Sequence, residues 1–207
     1  TGDLAVDDGV ITQVGGKAGA ASREIQADGL LVTPGWVDVH THYDGQATWD
    51  PELASSSWNG STTILFGNCG VGFAPVRTEH HEALIDLMEG VEDIPGIALA
   101  EGLDWDWESF PEYMDALERR DRVIDVAAQM PHHALRVYVM GERAIRHELA
   151  TSEDIEIMAR LTGEAIQAGA FGFTTSRTDS HKTTSGDFVP GRYSGTDELV
   201  GIGRELG

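Results

Sequence analysis

Beyond Pro34-Gly35, β-branched apolar runs alternate with amphipathic helical stretches, and this alternation restricts the chain to an α/β fold around a parallel sheet. Strands are expected at 36–42, 62–68, 123–130 and 171–175. The run Thr62-Thr63-Ile64-Leu65-Phe66 is β-branched or apolar on both faces, as a fully buried strand requires. A helix is expected at 79–89, where Ala83, Leu84, Leu87 and Met88 share one face and Gly90 stands where a C-cap glycine belongs. Ser109-Phe110-Pro111-Glu112 reads as a capping box with proline in the first turn, followed by an apolar stripe of Phe110, Met114 and Leu117. A longer helix is expected at 152–168, capped by Thr151, with Glu153 and Asp154 at its positive end and Gly169 closing it. The last helix is expected at 196–206, capped by Thr196. Four strand-type segments amount to half of an eight-stranded barrel.

Residues 1–34 follow a different pattern. Asp7-Asp8-Gly9 between alternating segments at 3–6 and 10–14 is a tight hairpin signal, and 29–33 reads as another extended run. These residues form a small β layer separate from 35–207. The chain of 207 residues carries 14 Lys+Arg against 35 Asp+Glu, a net charge of −21. Such a balance excludes the basic patch that nucleic acid or an anionic membrane surface demands. The longest apolar stretch, 64–76, is interrupted by glycines and too short for the ~20 residues a membrane-spanning helix needs. A single cysteine excludes an internal disulfide framework. With no signal peptide visible, the expectation is a soluble, cytoplasmic protein with a small-molecule partner. The sequence starts at Thr1 without a methionine and stops after a helix-like run, so a fragment of a longer reading frame is expected.

Chemistry concentrates at the ends of the expected strands. In Trp36-Val37-Asp38-Val39-His40-Thr41-His42, strand alternation places Trp36, Asp38, His40 and His42 on one face. Two imidazoles at that spacing lie roughly 6.6–7 Å apart along the backbone, close enough to chelate one metal ion. Gly67-Asn68-Cys69-Gly70 ends the next strand and carries the only thiol, a packed hydrophobe or a soft ligand for Zn²⁺ beside the histidine pair. Asp38 either orients a ligand imidazole or is simply buried and hydrogen-bonded. Arg177, His181, Lys182 and Tyr193 lie in the loop after the fourth strand, either to hold a substrate carboxylate or as a solvated loop. His132 and His133 follow the third strand, for substrate contact or structure. His80, His81 and His147 read as helix-surface residues, and Leu103-Asp104-Trp105-Asp106-Trp107 as a lid or as packing under a long loop.

Asp7-Asp8-Gly9, Pro34-Gly35-x-x-Asp38-x-His40-x-His42, and Thr62-Thr63 leading to Gly67-Asn68-Cys69-Gly70 together resemble the amidohydrolase superfamily, and within it the D-aminoacylase (N-acyl-D-amino-acid deacylase) branch. Val139-Met140-Gly141, the run Ala168-Gly169-Ala170-Phe171-Gly172-Phe173, and Pro190-Gly191-x-Tyr193 extend the resemblance across the chain. It implies an α/β fold comprising the N-terminal half of a (β/α)₈ TIM-type barrel, preceded by part of a small β-sandwich. It further implies hydrolysis of an N-acyl-D-amino acid by a zinc-activated hydroxide, with one or two zinc ions. His40 and His42 would bind one metal, and Cys69 would ligate the other or bridge the two. Many relatives bridge with a carbamylated lysine at the end of strand 4, but 171–175 contains none. Arg177, His181, Tyr193 and His132 would contact substrate. Two further histidine ligands and the aspartate acid/base are expected from later strands, beyond Gly207. Alternative readings are a cyclic amide hydrolase like the dihydropyrimidinases, or an inactive module retaining a partial metal site.

Overall fold

The computed structural model describes residues 2–207, which divide into two compact units, 2–34 and 35–207. In the first, β1 (Leu4–Asp7) and β2 (Val10–Val14) form an antiparallel hairpin. Asp8 and Gly9 supply the turn, both with positive φ (47° and 77°), the conformation whose twist matches the flanking strands. The expected extended run at 29–33 forms no strand. Leu30, Leu31 and Val32 are exposed and have no ladder within their unit, so their β propensity goes unused.

In the second unit β3 (Trp36–Asp38), β4 (Ser61–Phe66) and β5 (Asp125–Ala128) form a parallel sheet in chain order. Two more parallel strands, β6 (Met130–Pro131) and β7 (Phe173–Thr174), pair alongside. The expected strand at 123–130 is therefore split at Gln129. Its amide still reaches Phe66 O (3.0 Å), while Ala128 O already accepts from Phe171 N (2.8 Å). The chain pivots there from one neighbour to the next. The expected strand at 36–42 is cut to three residues, because past Asp38 only Thr41 still bonds β4, through Leu65 O. That at 171–175 shortens to Phe173–Thr174.

Between the strands run α1 (Ala54–Ser57), α2 (His81–Glu92), α3 (Gly96–Gly102), α4 (Phe110–Glu118), α5 (His132–Met140), α6 (Glu142–Ile145), α7 (Ser152–Gln167) and α8 (Thr196–Gly203). Helix α2 does not stop at Gly90. It continues to Glu92 and ends at Asp93 in the left-handed region. Gly90 is needed for another reason: a Cβ there would collide with the backbone of Lys182 and Thr183. Helix α8 starts from Gly195, not from a Thr196 side-chain cap. His132 and His133, expected only to follow the third strand, open helix α5. The core lies between the sheet and these helices, around Ile64, Phe66, Leu84, Met88, Leu99, Tyr113, Leu135 and Met158. Among the described residues no helix is long and apolar enough to cross a membrane.

The capping box expected at Ser109 forms, and the Thr151 cap expected at α7 is a capping box as well. At α7, Asp154 N donates to Thr151 Oγ1 (3.2 Å), and Thr151 N to Asp154 Oδ2 (2.8 Å). Arg143 also grips this carboxylate through both Nη atoms. Its guanidinium, opposed by burial and helped by Thr151, holds Asp154 down at about 2. A depressed carboxylate stabilises the fold above its unfolded value and loses that contribution as pH falls. We therefore expect Asp154→Asn to cost on the order of 1–2 kcal/mol at pH 7, discounted for the half-exposed arginine. In thermal melts the gap from wild type should close as pH falls from about 4 toward about 2.

Candidate metal centre

The centre is assembled on the turn that ends β4. Gly67 (φ 79°), Cys69 (φ 56°) and Gly70 (φ 78°) are all left-handed, and a non-glycine residue held there is strained. Asn68 locks the turn. Its Nδ2 donates to Thr41 O (3.2 Å) and Leu65 O (3.0 Å), and its Oδ1 accepts from Gln129 Nε2 (2.9 Å). Thr174 on β7 accepts from Gly70 N (3.1 Å) and donates to Gly67 O. The side-chain amide of one residue thus ties the histidine segment, β4 and the β5–β6 pivot together.

This framework brings His40, His42 and Cys69 together: one ligand atom from each lies within 4.8 Å of the other two. Cys69 Sγ is 3.4 Å from His40 Nε2. The imidazole rings stand 5.4 Å apart, tilted by 55°. Asp38 orients neither ring; its Oδ1 accepts the backbone amide of His40 (3.3 Å). His42 Nδ1 is buried without a hydrogen-bond partner, while Nε2 lies 3.2 Å from Glu92 Oε1. Asp44 is buried nearby with Oδ2 unpartnered.

The electrostatics are those of a cluster lacking positive charge. Burial, then repulsion from His40 and His181, lowers His42 to about 4. Burial raises Asp44 to about 8 against the opposing backbone amides, and raises Glu92 to about 7 with help from Asp93. The His42–Glu92 contact is accordingly a hydrogen bond between neutral groups between those values, not an ion pair. Burial, then Glu92 and Asp44, pushes the Cys69 thiol up as well. A bound cation reverses these preferences, favouring thiolate and carboxylate.

His181 stands at this cluster, close enough for His40, after burial, to lower its pKa. A directed chain supports it. Gly191 N donates to His133 Nδ1 (3.1 Å), which leaves Nε2–H for Ser176 Oγ (3.5 Å), and that hydroxyl donates to His181 Nδ1 (2.8 Å). Arg177 and Tyr193 share the loop with His181 but have local partners. Arg177 Nη2 donates to Ser194 O (2.6 Å), and Tyr193 packs edge-on against His147 and Phe188.

His132 does not fit the expectation of substrate contact. It is fully buried, with Nδ1 2.8 Å from Thr175 Oγ1 and Nε2 2.7 Å from Glu198 Oε1. Burial keeps its imidazole neutral. Against the cost of burial, His132 and Arg136 hold Glu198 ionised, so Nε2–H donates to a carboxylate and Nδ1 accepts from the hydroxyl. Both ring nitrogens serve to tie α5 to its neighbours, α8 and Thr175 just past β7. His80 is buried rather than on the helix surface, whereas His81 stacks on Trp105 (3.8 Å, 6°). Trp107 is packing: its Nε1 donates to Phe73 O (2.8 Å) in the core.

Sequence reasoning missed Asp44 and Glu92. Asp44 continues the alternation His40-x-His42-x-Asp44 and was open to detection. Glu92 arrives from the end of α2, fifty positions from its partner, with no local signal.

A parallel α/β unit thus gathers imidazole and thiol donors just beyond its strand ends, in a group that could hold a metal ion. Residues 23–199 match the amidohydrolase family, and the chain belongs to it, on the D-aminoacylase branch. It is 29% identical to D-aminoacylase of Alcaligenes xylosoxydans xylosoxydans over 205 residues, covering 99% of this chain and 38% of that protein. It is 32% identical to N-acyl-D-aspartate deacylase of the same organism over 206 residues, 99% of this chain and 37% of that one. The crystal structure of N-acyl-D-glutamate deacylase from Bordetella bronchiseptica, complexed with zinc and a phosphonate inhibitor, superposes with a TM-score of 0.75 at 30% identity, over 98% of this chain and 38% of that one. The chain thus spans less than two-fifths of the length of these relatives.

The turn predicts its own sensitivity. In Gly67→Ala a Cβ meets Gln129 O and the left-handed φ is penalised, so stability should fall by more than about 1 kcal/mol in chemical denaturation.

Proposed function

We propose that this chain forms the zinc-binding portion of a metal-dependent deacylase that hydrolyses the amide of small N-acyl-D-amino acids. The observation that carries the reading is the convergence of His40, His42 and Cys69, from two separate strand ends, within 4.8 Å. Two imidazoles and a thiol suit zinc, and the orphaned Nδ1 of His42 is a buried atom in want of a ligand. Zinc there would supply Lewis acidity to an amide carbonyl and lower the pKa of water toward neutrality.

The chain's own residues have simpler tasks. His40, His42 and Cys69 hold the ion in place, and the Asn68 lock fixes the distance between the two strand ends. His181, steadied by Ser176, faces the cluster, and Arg177 and Tyr193 on the same loop are assigned to the substrate carboxylate. In this reading 35–207 is the first four β/α units of a TIM-type barrel, and 1–34 is part of the accompanying β-sandwich. Parallel strands in chain order support it. So does the unpaired edge of β3, where Trp36 and Val37 are exposed. The remaining ligands and the proton shuttle would come from the part of the fold that this chain does not span.

The test is elemental analysis of purified wild-type protein and Cys69→Ser, alongside deacylation of N-acetyl-D-amino acids and their L-enantiomers by the complete polypeptide. Stoichiometric zinc in wild type, reduced at least tenfold in affinity by the substitution, is expected, with turnover of the D-series. Negligible metal in both proteins overturns the reading.

A further inference from the structure

We propose that His181 is a catalytic hydrogen-bond donor: its Nε2–H serves the oxygen of the scissile amide carbonyl, with Ser176 and His133 as the positioning residues behind it. The inference rests on the deacylase reading and deepens it by giving a role on the substrate to a side chain that is not a metal donor.

Which nitrogen of a neutral imidazole carries the hydrogen is set by the bond that the other nitrogen makes. Here the choice traces back to a backbone amide, a group that can only donate. Gly191 N donates to His133 Nδ1 (3.1 Å), so the hydrogen of this fully buried ring sits on Nε2, facing Ser176 Oγ (3.5 Å). The hydroxyl, met there on a lone pair, turns its own hydrogen to His181 Nδ1 (2.8 Å). His181 is left with Nε2–H and, among the described residues, no protein partner for it.

Glycines make room for this series of bonds. His133 is wedged between two of them: a Cβ at Gly191 would lie 2.6 Å from its Nδ1, and one at Gly70 2.9 Å from its Nε2. Gly70 follows Cys69, so the ring that orients His181 also abuts the turn that carries the thiol.

The position and charge of His181 suit a carbonyl better than a metal or a carboxylate. Metal ligation needs a lone pair, and the bond from Ser176 leaves none on Nε2. His181 also lies outside the group whose donor atoms stand within 4.8 Å of one another, yet near enough to His40 and His42 for their charges to repel. Burial, then His40, holds its imidazole below the ordinary value and so neutral at neutral pH, whereas a carboxylate is better answered by a full charge. When water adds to the amide carbon, the C=O π pair becomes a lone pair on oxygen. The negative charge that grows there is met by an N–H already fixed in direction. No proton leaves His181 in this step.

The experiment uses the complete, zinc-loaded polypeptide as wild type, His181→Ala, His181→Gln, Ser176→Ala and the exposed-loop control Ser185→Ala, with thermal melts to confirm folding. It measures zinc affinity by chelator competition, kinetics on an N-acetyl-D-amino acid, and the nitrogen-15 shifts of the His181 ring, assigned by their loss in His181→Gln. His181→Ala should lower kcat by about 10²–10³-fold with KM and zinc affinity near wild type. His181→Gln, which keeps an N–H, should recover part of that loss, and Ser185→Ala should match wild type. The wild-type shifts should place the hydrogen on Nε2, and Ser176→Ala should show a mixture of tautomers with reduced kcat. Undiminished kcat in His181→Ala overturns the inference alone, as does a wild-type ring protonated on Nδ1. So does a tenfold loss of zinc affinity in His181→Ala, which would make the residue a ligand. A wild type that takes up no zinc, or takes it up and hydrolyses no N-acyl-D-amino acid, overturns the deacylase reading and this inference with it.

Discussion

The side-chain amide of Asn68 is the constraint on which the rest of the centre depends. It spends both hydrogens and its oxygen on three strand ends that would otherwise be free to splay: the segment carrying the histidines, β4 itself, and Gln129 at the pivot between β5 and β6. Parallel strands leave their terminal carbonyls without ladder partners, and in a buried setting those groups must find others. Here the replacement bonds also fix the spacing between donors that are far apart in sequence. Cys69 follows Asn68 directly, so its thiol inherits the position of the lock.

The electrostatic picture agrees with this geometry. Cys69, His42, Asp44 and Glu92 are all pushed toward their uncharged forms, chiefly by burial. Buried ionisable groups of this kind are normally paired or coordinated. Elsewhere in the chain the usual remedy is present: Glu198 is buried with Arg136 and His132 around it, and Asp154 has Arg143. Around the donor cluster no arginine or lysine plays that part among the described residues. The contrast sets the donor cluster apart from the paired networks around Glu198 and Asp154.

Much of this was legible in the sequence, for identifiable reasons. The order of strands and helices follows from periodicity, and the Ser109 capping box and the Thr151 cap follow from local hydrogen-bond chemistry. His40, His42 and Cys69 were legible because strand ends impose spacing on donors. What escaped was set by tertiary packing. Gly90 reads as a stop signal, yet the demand on it comes from a loop some ninety residues away, so α2 runs past it. His132 reads as a mouth residue, but its helix is sealed by Glu198, from a helix that sequence reasoning could not place beside it. The extended run at 29–33 has the composition of a strand and lacks only a neighbour.

The bare α-carbon of Gly90 carries a mechanical consequence. The backbone of 182–183 rests directly on it, one step from His181, while Glu92 lies two residues farther along the same helix. The loop that carries His181 and the helix that carries Glu92 therefore meet at this one glycine. Any bulk added at that point would pry helix and loop apart, withdrawing an imidazole and a carboxyl together. The vacant volume of one methyl group thus sets the clearance of both arms at once.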